Sequence, residues 1–173
     1  MPTSYQAPMV GDKLGPTSSS QSVESSLQAK EGKISSLLAK KSNKVITIEE
    51  TSTLSTAVKI LRDQRIGALV VVDNNGLLAG ILSERDIVRK LAETPGQTLP
   101  QTVSENMTSD VVACSADDTL IDVLKRMSEG HFRHMPVVEG KKPVAMVTIG
   151  DLVNFRLNEL EHEALNLKQL IVG

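Results

Sequence analysis

The chain has 173 residues, of which 40% are hydrophobic, and a formal net charge of −2. This length suits one compact domain or two small ones. The balanced charge excludes a basic field for nucleic acid and a polybasic patch for a membrane. Aromatic residues make up only 2% of the chain, which argues against stacking of single-stranded bases. No apolar run is long enough to span a bilayer, and the single Cys114 excludes an internal disulfide framework.

The first 30 residues are rich in proline, glycine and serine and have no apolar periodicity. This composition predicts a disordered tail over residues 1–30. A transit peptide is the alternative, but the segment lacks arginine, contains Asp12 and Glu24, and has no apolar core like that of a secretory signal. We therefore expect a cytoplasmic protein.

Residues 31–41 are expected to form a short helix with Ile34, Leu37 and Leu38 facing inward. The pattern after it predicts, in order, a strand, a helix, two strands and a helix. These elements span residues 45–48, 54–64, 68–72, 78–82 and 84–92. The sequence Asp-Asn-Asn-Gly at 73–76 tolerates positive φ, which predicts a hairpin between the two adjacent strands.

The same order of elements is repeated downstream, from Val111 onward. Thr53 matches Thr119, 66 positions later, and Asp86 matches Asp151, 65 positions later. The missing residue falls in the hairpin turn, as a true internal repeat should show. The chain then divides into a first repeat, a linker, a second repeat and a helical extension, over residues 31–94, 95–102, 103–156 and 157–173.

Neither repeat is expected to fold alone, because about 60 residues with three short strands leave apolar faces uncovered. Packing the two copies face to face would bury those faces. The predicted fold is therefore α/β (α+β), with two β-α-β-β-α repeats in pseudo-twofold symmetry and an extended C-terminal helix. Such packing brings the two strand-to-helix corners to a shared cleft.

The last helix should begin near Ile149 and run to about Ile171. Its apolar residues follow the alternating spacing of four and three that is typical of a coiled-coil seam. This seam consists of Val153, Leu157, Leu160, Ala164, Leu167 and Ile171. Packing of the seam on its own domain is the alternative, but we expect a helix-to-helix contact between two subunits.

Each corner carries a hydroxyl residue followed three positions later by an aspartate: Ser83 with Asp86, and Thr148 with Asp151. These pairs could simply cap helices, contributing about 1 kcal/mol each. They could also form a ligand corner, because a helix N-terminus offers free amides to a phosphate and a carboxylate can accept both hydroxyls of a ribose.

The [ST]-x-x-D corners, the strands GALVVVD and RHMPVVE and the doubled layout resemble a tandem pair of CBS domains, called a Bateman module. The resemblance covers roughly residues 34–160, and the chain is similar to small stand-alone two-CBS proteins of bacteria and plant organelles. It implies that the clefts bind an adenosine nucleotide that regulates a partner. AMP is expected first, with ADP, ATP, NADH or S-adenosylmethionine as alternatives and Mg²⁺ only alongside ATP.

The resemblance also implies roles for individual residues. Asp86 and Asp151 would hold ribose hydroxyls, and Ser83 and Thr148 would contact phosphate or ribose. The residues expected to flank adenine are Ile46, Thr47, Val112 and Ala113. The expected cleft walls are Ile66, Gly67 and Ala68 in the first copy, and Phe132, Arg133 and His134 in the second.

The two clefts are predicted to be unequal. The second copy has Arg133 and His134 where the first has Gly67 and Ala68, and an arginine can bind phosphate through a charge-assisted fork. The cleft that combines these two residues with Arg85 and Asp86 should therefore be the more favourable for anions. The alternative for Arg133 is a surface ion pair with Glu129 or Glu139.

The preferred function is a non-enzymatic regulatory module that works as a homodimer and passes the state of its ligand to a partner protein. A dimerising scaffold with vestigial ligand sites is the main alternative. An enzyme is not expected, because the sequence lacks a paired acid and base, a Walker-type lysine loop and a metal cluster. His131 and His134 lack a third metal ligand, and Cys114 is interpreted as a core residue.

Overall fold

The structure, a computed structural model, describes residues 32–41 and 44–172. The predicted disordered tail at 1–30 lies outside these residues. The helices are α1 (Ile34–Lys40), α2 (Leu54–Gln64), α3 (Glu84–Glu93), α4 (Leu120–Glu129) and α5 (Ile149–Val172). The strands are β1 (Thr47–Glu49), β2 (Ala68–Val72), β3 (Leu78–Ser83), β4 (His134–Glu139) and β5 (Lys142–Thr148). The mixed α/β fold with a long final helix confirms the predicted fold class.

The first repeat contains a three-stranded sheet in the order β1-β2-β3. Strand β1 pairs in parallel with β2, and β2 pairs in antiparallel with β3. The hairpin turn is closed by Asp73, whose Oδ1 accepts the amides of Asn75 and Leu77 at 2.8 and 2.9 Å. Gly76 has a φ of 74°, a conformation that glycine adopts without steric cost. The hairpin predicted from this turn is confirmed.

The second repeat departs from the predicted copy, because its first strand is missing. Strands β4 and β5 form a two-stranded sheet, which Cys114 joins only through an isolated parallel bridge to Val137. The next ladder bond towards the N-terminus would need an amide at position 136 to donate to Val112, and Pro136 has none. In the first repeat the corresponding residue, Val70, donates this bond to Ile46 at 3.3 Å.

The structure has two hydrophobic cores, and each is completed by a segment from outside its own repeat. Helix α1 buries Ile34 and Leu37 in the core of the second repeat, where the Ile34 amide donates to Asp118 at 2.9 Å. Val103, at the start of the second repeat, is buried in the core of the first. The inward orientation predicted for Ile34 and Leu37 is confirmed, but the core that they enter is the distant one.

Helix α5 spans 24 residues, close to the predicted range. Within it only Leu152 and Phe155 are buried. The seam faces outward: Leu157 is 53% exposed, Leu167 61% and Ile171 83%. The alternative in which the seam packs on its own domain is therefore wrong. Among the described residues, no helix combines the length and the apolar character needed to cross a bilayer.

Candidate functional site

A cavity of about 430 Å³ lies between the corner of the first repeat and the wall of the second. It brings together eight of the residues selected from the sequence: Gly67, Ser83, Arg85, Asp86, Val112, Phe132, Arg133 and His134. Residues not selected as binding residues also line it, including Glu84, Arg89, Thr108, Asp110 and His131. The sequence offered no signal for Thr108 and Asp110, because they reach the cavity from the irregular segment between α3 and α4.

The conformation of each cavity wall is set by the way the preceding helix ends. The two repeats end this helix in the same way. Arg65 and His131 each follow a helix and have left-handed backbones, with φ of 53° and 55°. The chain then turns back, so that the amides of Ile66 and Phe132 donate to the last turns of α2 and α4 at 3.1 Å. These turns direct the two wall segments towards the opposite repeat.

Asp86 closes a capping box at the start of α3. Its Oδ2 accepts the Ser83 amide at 2.9 Å and the Ser83 hydroxyl at 2.6 Å, while the Asp86 amide donates to Ser83 Oγ at 3.3 Å. All these contacts to the carboxylate use Oδ2, and within the described residues Oδ1 accepts no hydrogen bond. The cap therefore orients the carboxylate and leaves one oxygen for a ligand, so capping and ligand binding are compatible.

Arginine side chains give the larger cavity a cationic rim. Arg85, Arg89 and Arg133 are exposed at its edge, and Arg85 Nη1 lies 3.5 Å from the His131 carbonyl. In the described part of the chain Arg133 makes no ion pair, and Glu129 lies beside Lys125 instead, at 4.0 Å. The predicted alternative of a surface pair for Arg133 is therefore not realised. Its guanidinium remains available to an anion.

His134 separates the two clefts and lines both. Burial lowers its pKa, against the raising effect of Glu84, so the imidazole is neutral near pH 7 and can donate one hydrogen bond and accept another. A Cβ at Gly67 would stand 3.3 Å from His134 Nε2. Glycine at position 67 therefore permits the close approach of the two repeats.

The smaller cavity, of about 290 Å³, lies across the pseudo-twofold axis. Six of the residues selected from the sequence line it: Ile46, Ile66, Gly67, Ala68, His134 and Thr148. Three unselected cations, Lys41, Lys44 and Arg65, line it as well. The sequence could not indicate Lys41, because its partner in the fold, Asp151, is 110 positions away.

Asp151 is held in an ion pair at the corner of the second repeat. Its Oδ2 lies 2.5 Å from Lys41 Nζ and accepts the Thr148 amide at 2.9 Å. Burial opposes ionisation of Asp151, but these hydrogen bonds and the Lys41 charge outweigh it and hold its pKa below the usual value. Asp151 does not line the smaller cavity, whereas Lys41 does.

Two other residues selected from the sequence lie away from both cavities. Thr47 is exposed on β1, and the carbonyl of Ala113 accepts from Arg126 at 3.0 Å. Cys114 is buried, as predicted for a core residue, and burial raises the pKa of its thiol to about 11. In the part of the chain that the structure describes, no three His, Cys, Asp or Glu side chains group closely enough to hold a metal ion.

Two copies of one α/β unit, facing each other across a pair of clefts, define a tandem-repeat module. The chain belongs to the CBS-domain family, whose model matches residues 35–93 and 102–158. The family resemblance stated from the sequence is confirmed, and proteins built as CBS pairs are regulatory modules.

Similar proteins occur in plants and archaea. The chain is 35% identical over 106 residues to a CBS domain-containing protein of Arabidopsis thaliana, CBSCBSPB5. This match covers 61% of the present chain but only 19% of that protein. It is 31% identical to the mitochondrial CBS domain-containing protein CBSX3 of the same plant, covering 70% of this chain and 61% of that one. An uncharacterized 17.7 kDa protein of Acidianus ambivalens is 31% identical, with coverage of 66% and 69%. The chain thus spans about a fifth of the first of these relatives.

Solved structures agree with this assignment. A CBS-domain protein of Agrobacterium tumefaciens is 35% identical with a TM-score of 0.69, and the match covers 72% of this chain and 92% of that one. The CBS domain pair of protein MJ0100 is 28% identical with a TM-score of 0.66, over 75% and 98% of the two chains. That pair was crystallised with 5′-methylthioadenosine and S-adenosyl-L-methionine.

Proposed function

We propose that this protein is a non-catalytic regulatory module that binds an adenosine nucleotide in its larger cleft and signals to a separate partner protein. The observation that carries the proposal is the convergence of a half-satisfied carboxylate, Asp86, with Arg85 and Arg133 on one cavity. This combination offers an acceptor for ribose hydroxyls and donors for a phosphate. The adenosine ligands of the MJ0100 pair support the same ligand class.

The residues of the larger cleft divide naturally into three roles. The free oxygen of Asp86 accepts the ribose hydroxyls, and Ser83 holds the carboxylate in place. Arg85 and Arg133 bind phosphate, with Arg89 as a third cation on the same rim. The exposed Val112 and the half-buried Phe132 offer apolar surface to adenine.

AMP is the ligand that the cavity suits first. A volume of about 430 Å³ falls within the range typical of small-molecule sites. The rim also carries Glu84 and Asp110, which repel a longer polyphosphate and favour a single phosphate. ADP, ATP and NADH are the alternatives, and only ATP would bring Mg²⁺.

We also propose that the protein acts as a homodimer joined along the seam of α5. The seam repeats with coiled-coil spacing over five turns and is exposed in the single chain. A second copy of the same helix supplies a surface of matching spacing. A coupling of about 1–3 kcal/mol between ligand and assembly suffices for a sensor of this kind.

A cytoplasmic location remains a prediction, since the name of one relative gives it as mitochondrial.

Isothermal titration tests the ligand. The purified chain is titrated with AMP, ADP, ATP, NADH and S-adenosylmethionine, and the Asp86→Ala variant should lose the binding that the wild type has. Asp122→Ala is the matched control, because Asp122 holds the same third helical position in α4, lies outside both cavities and removes the same charge. No heat with any ligand would favour the dimerising scaffold with vestigial sites. Release of a nucleotide product during the titration would indicate an enzyme instead.

A further inference from the structure

We propose that only the larger cleft takes a nucleotide, and that Lys41 is the residue that closes the smaller cleft to ribose. The inference rests on the proposed function and deepens it, because it sets the stoichiometry at one nucleotide per chain. The two aspartates that the repeat places at corresponding corners then have different roles. Asp86 binds ligand, whereas Asp151 binds Lys41.

The geometry of the two corners differs at the carboxylate. Asp86 receives its contacts from its own capping residue and lines the larger cavity. Asp151 receives, in addition to its own cap, the ammonium of Lys41 at 2.5 Å. The surface that the smaller cavity presents at this corner is therefore Lys41 together with Thr148.

At the surface of the smaller cavity, Lys41 thus takes the place that an aspartate has in the larger cavity. This changes the corner from a hydrogen-bond acceptor to a donor. A carboxylate accepts hydrogen bonds from both ribose hydroxyls, whereas an ammonium can only donate hydrogen bonds. With Lys41 at its surface, the corner therefore has no carboxylate acceptor for the ribose hydroxyl protons. Lys44 and Arg65 line the same cavity, and its lining contains no carboxylate among the described residues. A nucleoside entering the smaller cavity thus meets cations where the larger cavity offers Asp86.

Lys41 is held in position from two sides. Its Nζ donates to the Met146 carbonyl at 3.1 Å as well as to Asp151. Its backbone amide caps α1 by donating to Leu37 and Leu38, and α1 is anchored in the second core by the buried Ile34. Freeing Asp151 for a ribose would leave a half-buried carboxylate without its cation, which is unfavourable.

Titration of matched variants with AMP tests this assignment. If the wild type prefers another of the five ligands, that ligand replaces AMP throughout. The wild type should bind one ligand per chain. Lys41→Met, which keeps the length of the side chain and removes its charge, should bind two, the second at least tenfold more weakly. Lys44→Met is the control, because it removes the same charge from the same cavity without touching Asp151, and it should still bind one.

Two further variants keep the result interpretable. Lys41→Met combined with Asp151→Asn should return to one ligand per chain, because the uncovered carboxylate is then lost. Asp86→Ala in the wild-type background should bind none, a test that needs no change at Lys41 and so holds even if Lys41→Met does not fold. Lys41→Gln offers a polar replacement in that case.

Three outcomes would overturn the assignment: two ligands per chain in the wild type, one retained by Asp86→Ala, or one in a folded Lys41→Met protein. Failure of the proposed function itself has a different signature. In that case neither the wild type nor any variant binds a nucleotide, including the Lys44→Met control.

Discussion

Arg65 and His131, 66 positions apart, have the same left-handed backbone, with φ of 53° and 55°. Each lies where the chain leaves a helix and enters a cleft wall. Neither residue is a glycine, so both repeats accept the steric cost of this conformation at the same place. The two walls therefore match in backbone even though they differ in side chains.

Replacing Arg65 with glycine should stabilise the protein. Glycine takes the left-handed conformation without the steric cost of a Cβ, and we expect the free energy of unfolding to rise by about 0.5–1 kcal/mol. Urea denaturation followed by circular dichroism measures the change. Arg62→Gly, one turn earlier inside α2, is the control and should lower stability by about 1 kcal/mol. A loss of stability in both variants would contradict the prediction.

Gly80→Ala should destabilise the first core. A Cβ at Gly80 would lie 2.9 Å from the Thr108 carbonyl and 2.5 Å from Met107 Sδ. Because the carbonyl belongs to the backbone, the chain at Thr108 must shift, and we expect a loss of about 1–3 kcal/mol. Thermal unfolding measures it. Gly150→Ala is the comparison, since its Cβ would meet only Thr148 Oγ1, at 3.7 Å. There a helical alanine should raise stability by about 0.5–1 kcal/mol, and equal losses at both sites would contradict the account.

Acidification should weaken the fold through His134. Burial lowers the pKa of His134 in the folded state, so the unfolded chain binds more protons and stability is lost as pH falls below about 6.5. Glu84 and Asp151 oppose this shift, while Arg133 and Lys41 reinforce it. Denaturant titrations between pH 7.5 and 5.5 should show the loss in the wild type and a flatter dependence in His134→Gln.

Two features make the pH measurement specific. Asp118 and Asp151 have lowered pKa values, so their contributions to stability are lost only at pH below about 4. His162 is exposed on α5, so His162→Gln should retain the wild-type pH dependence. If His134→Gln follows the wild type throughout, protonation of His134 is not the cause.

A charge in the seam of α5 should separate the proposed dimer. Leu160 lies within the seam and is 45% exposed in the single chain, so Leu160→Asp would bury a carboxylate between two helices. Light scattering after gel filtration should give half the mass of the wild type at micromolar concentration. Leu165→Asp is the matched control, because Leu165 is 55% exposed but lies outside the seam. A monomeric wild type, or an unchanged mass for Leu160→Asp, would contradict the seam as an interface.

Features that depend on neighbouring residues could be predicted from the sequence. The hairpin at Asp73–Gly76 follows from turn chemistry, and the starts of α2 and α4 follow from their caps, Thr53 and Thr119. The offset between copies located both corners before any contact was known. The larger cavity contains eight of the fifteen residues selected from the sequence. The corner residues among them follow from the repeat, whereas the wall residues were selected through the family resemblance.

The features that sequence analysis missed depend on long-range contacts or on a single residue. Pro136 cannot donate one of the ladder hydrogen bonds, so the expected strand is reduced to a single bridge at Cys114. The strand was predicted from its apolar residues alone, and that pattern contains no information about the donors of the neighbouring strand. Lys41 meets Asp151 only because α1 crosses to the second core. No local pattern around Lys41 or Asp151 indicates that they pair. From the sequence the two corners therefore look alike, and only the fold shows that a lysine contacts the aspartate of the second one.

Because α1 packs in the core of the second repeat, the residues of that core lie on both sides, in sequence, of those that build the core of the first. Residues 34–38 and 114–155 build one core, and residues 46–107 build the other. In sequence, the core of the first repeat is thus an insertion within the core of the second. A mechanical pull on residues 32 and 172 would load the second core first, through α1 and α5. The first core would carry no force until the second had opened, so stretching should give two rupture events in that order.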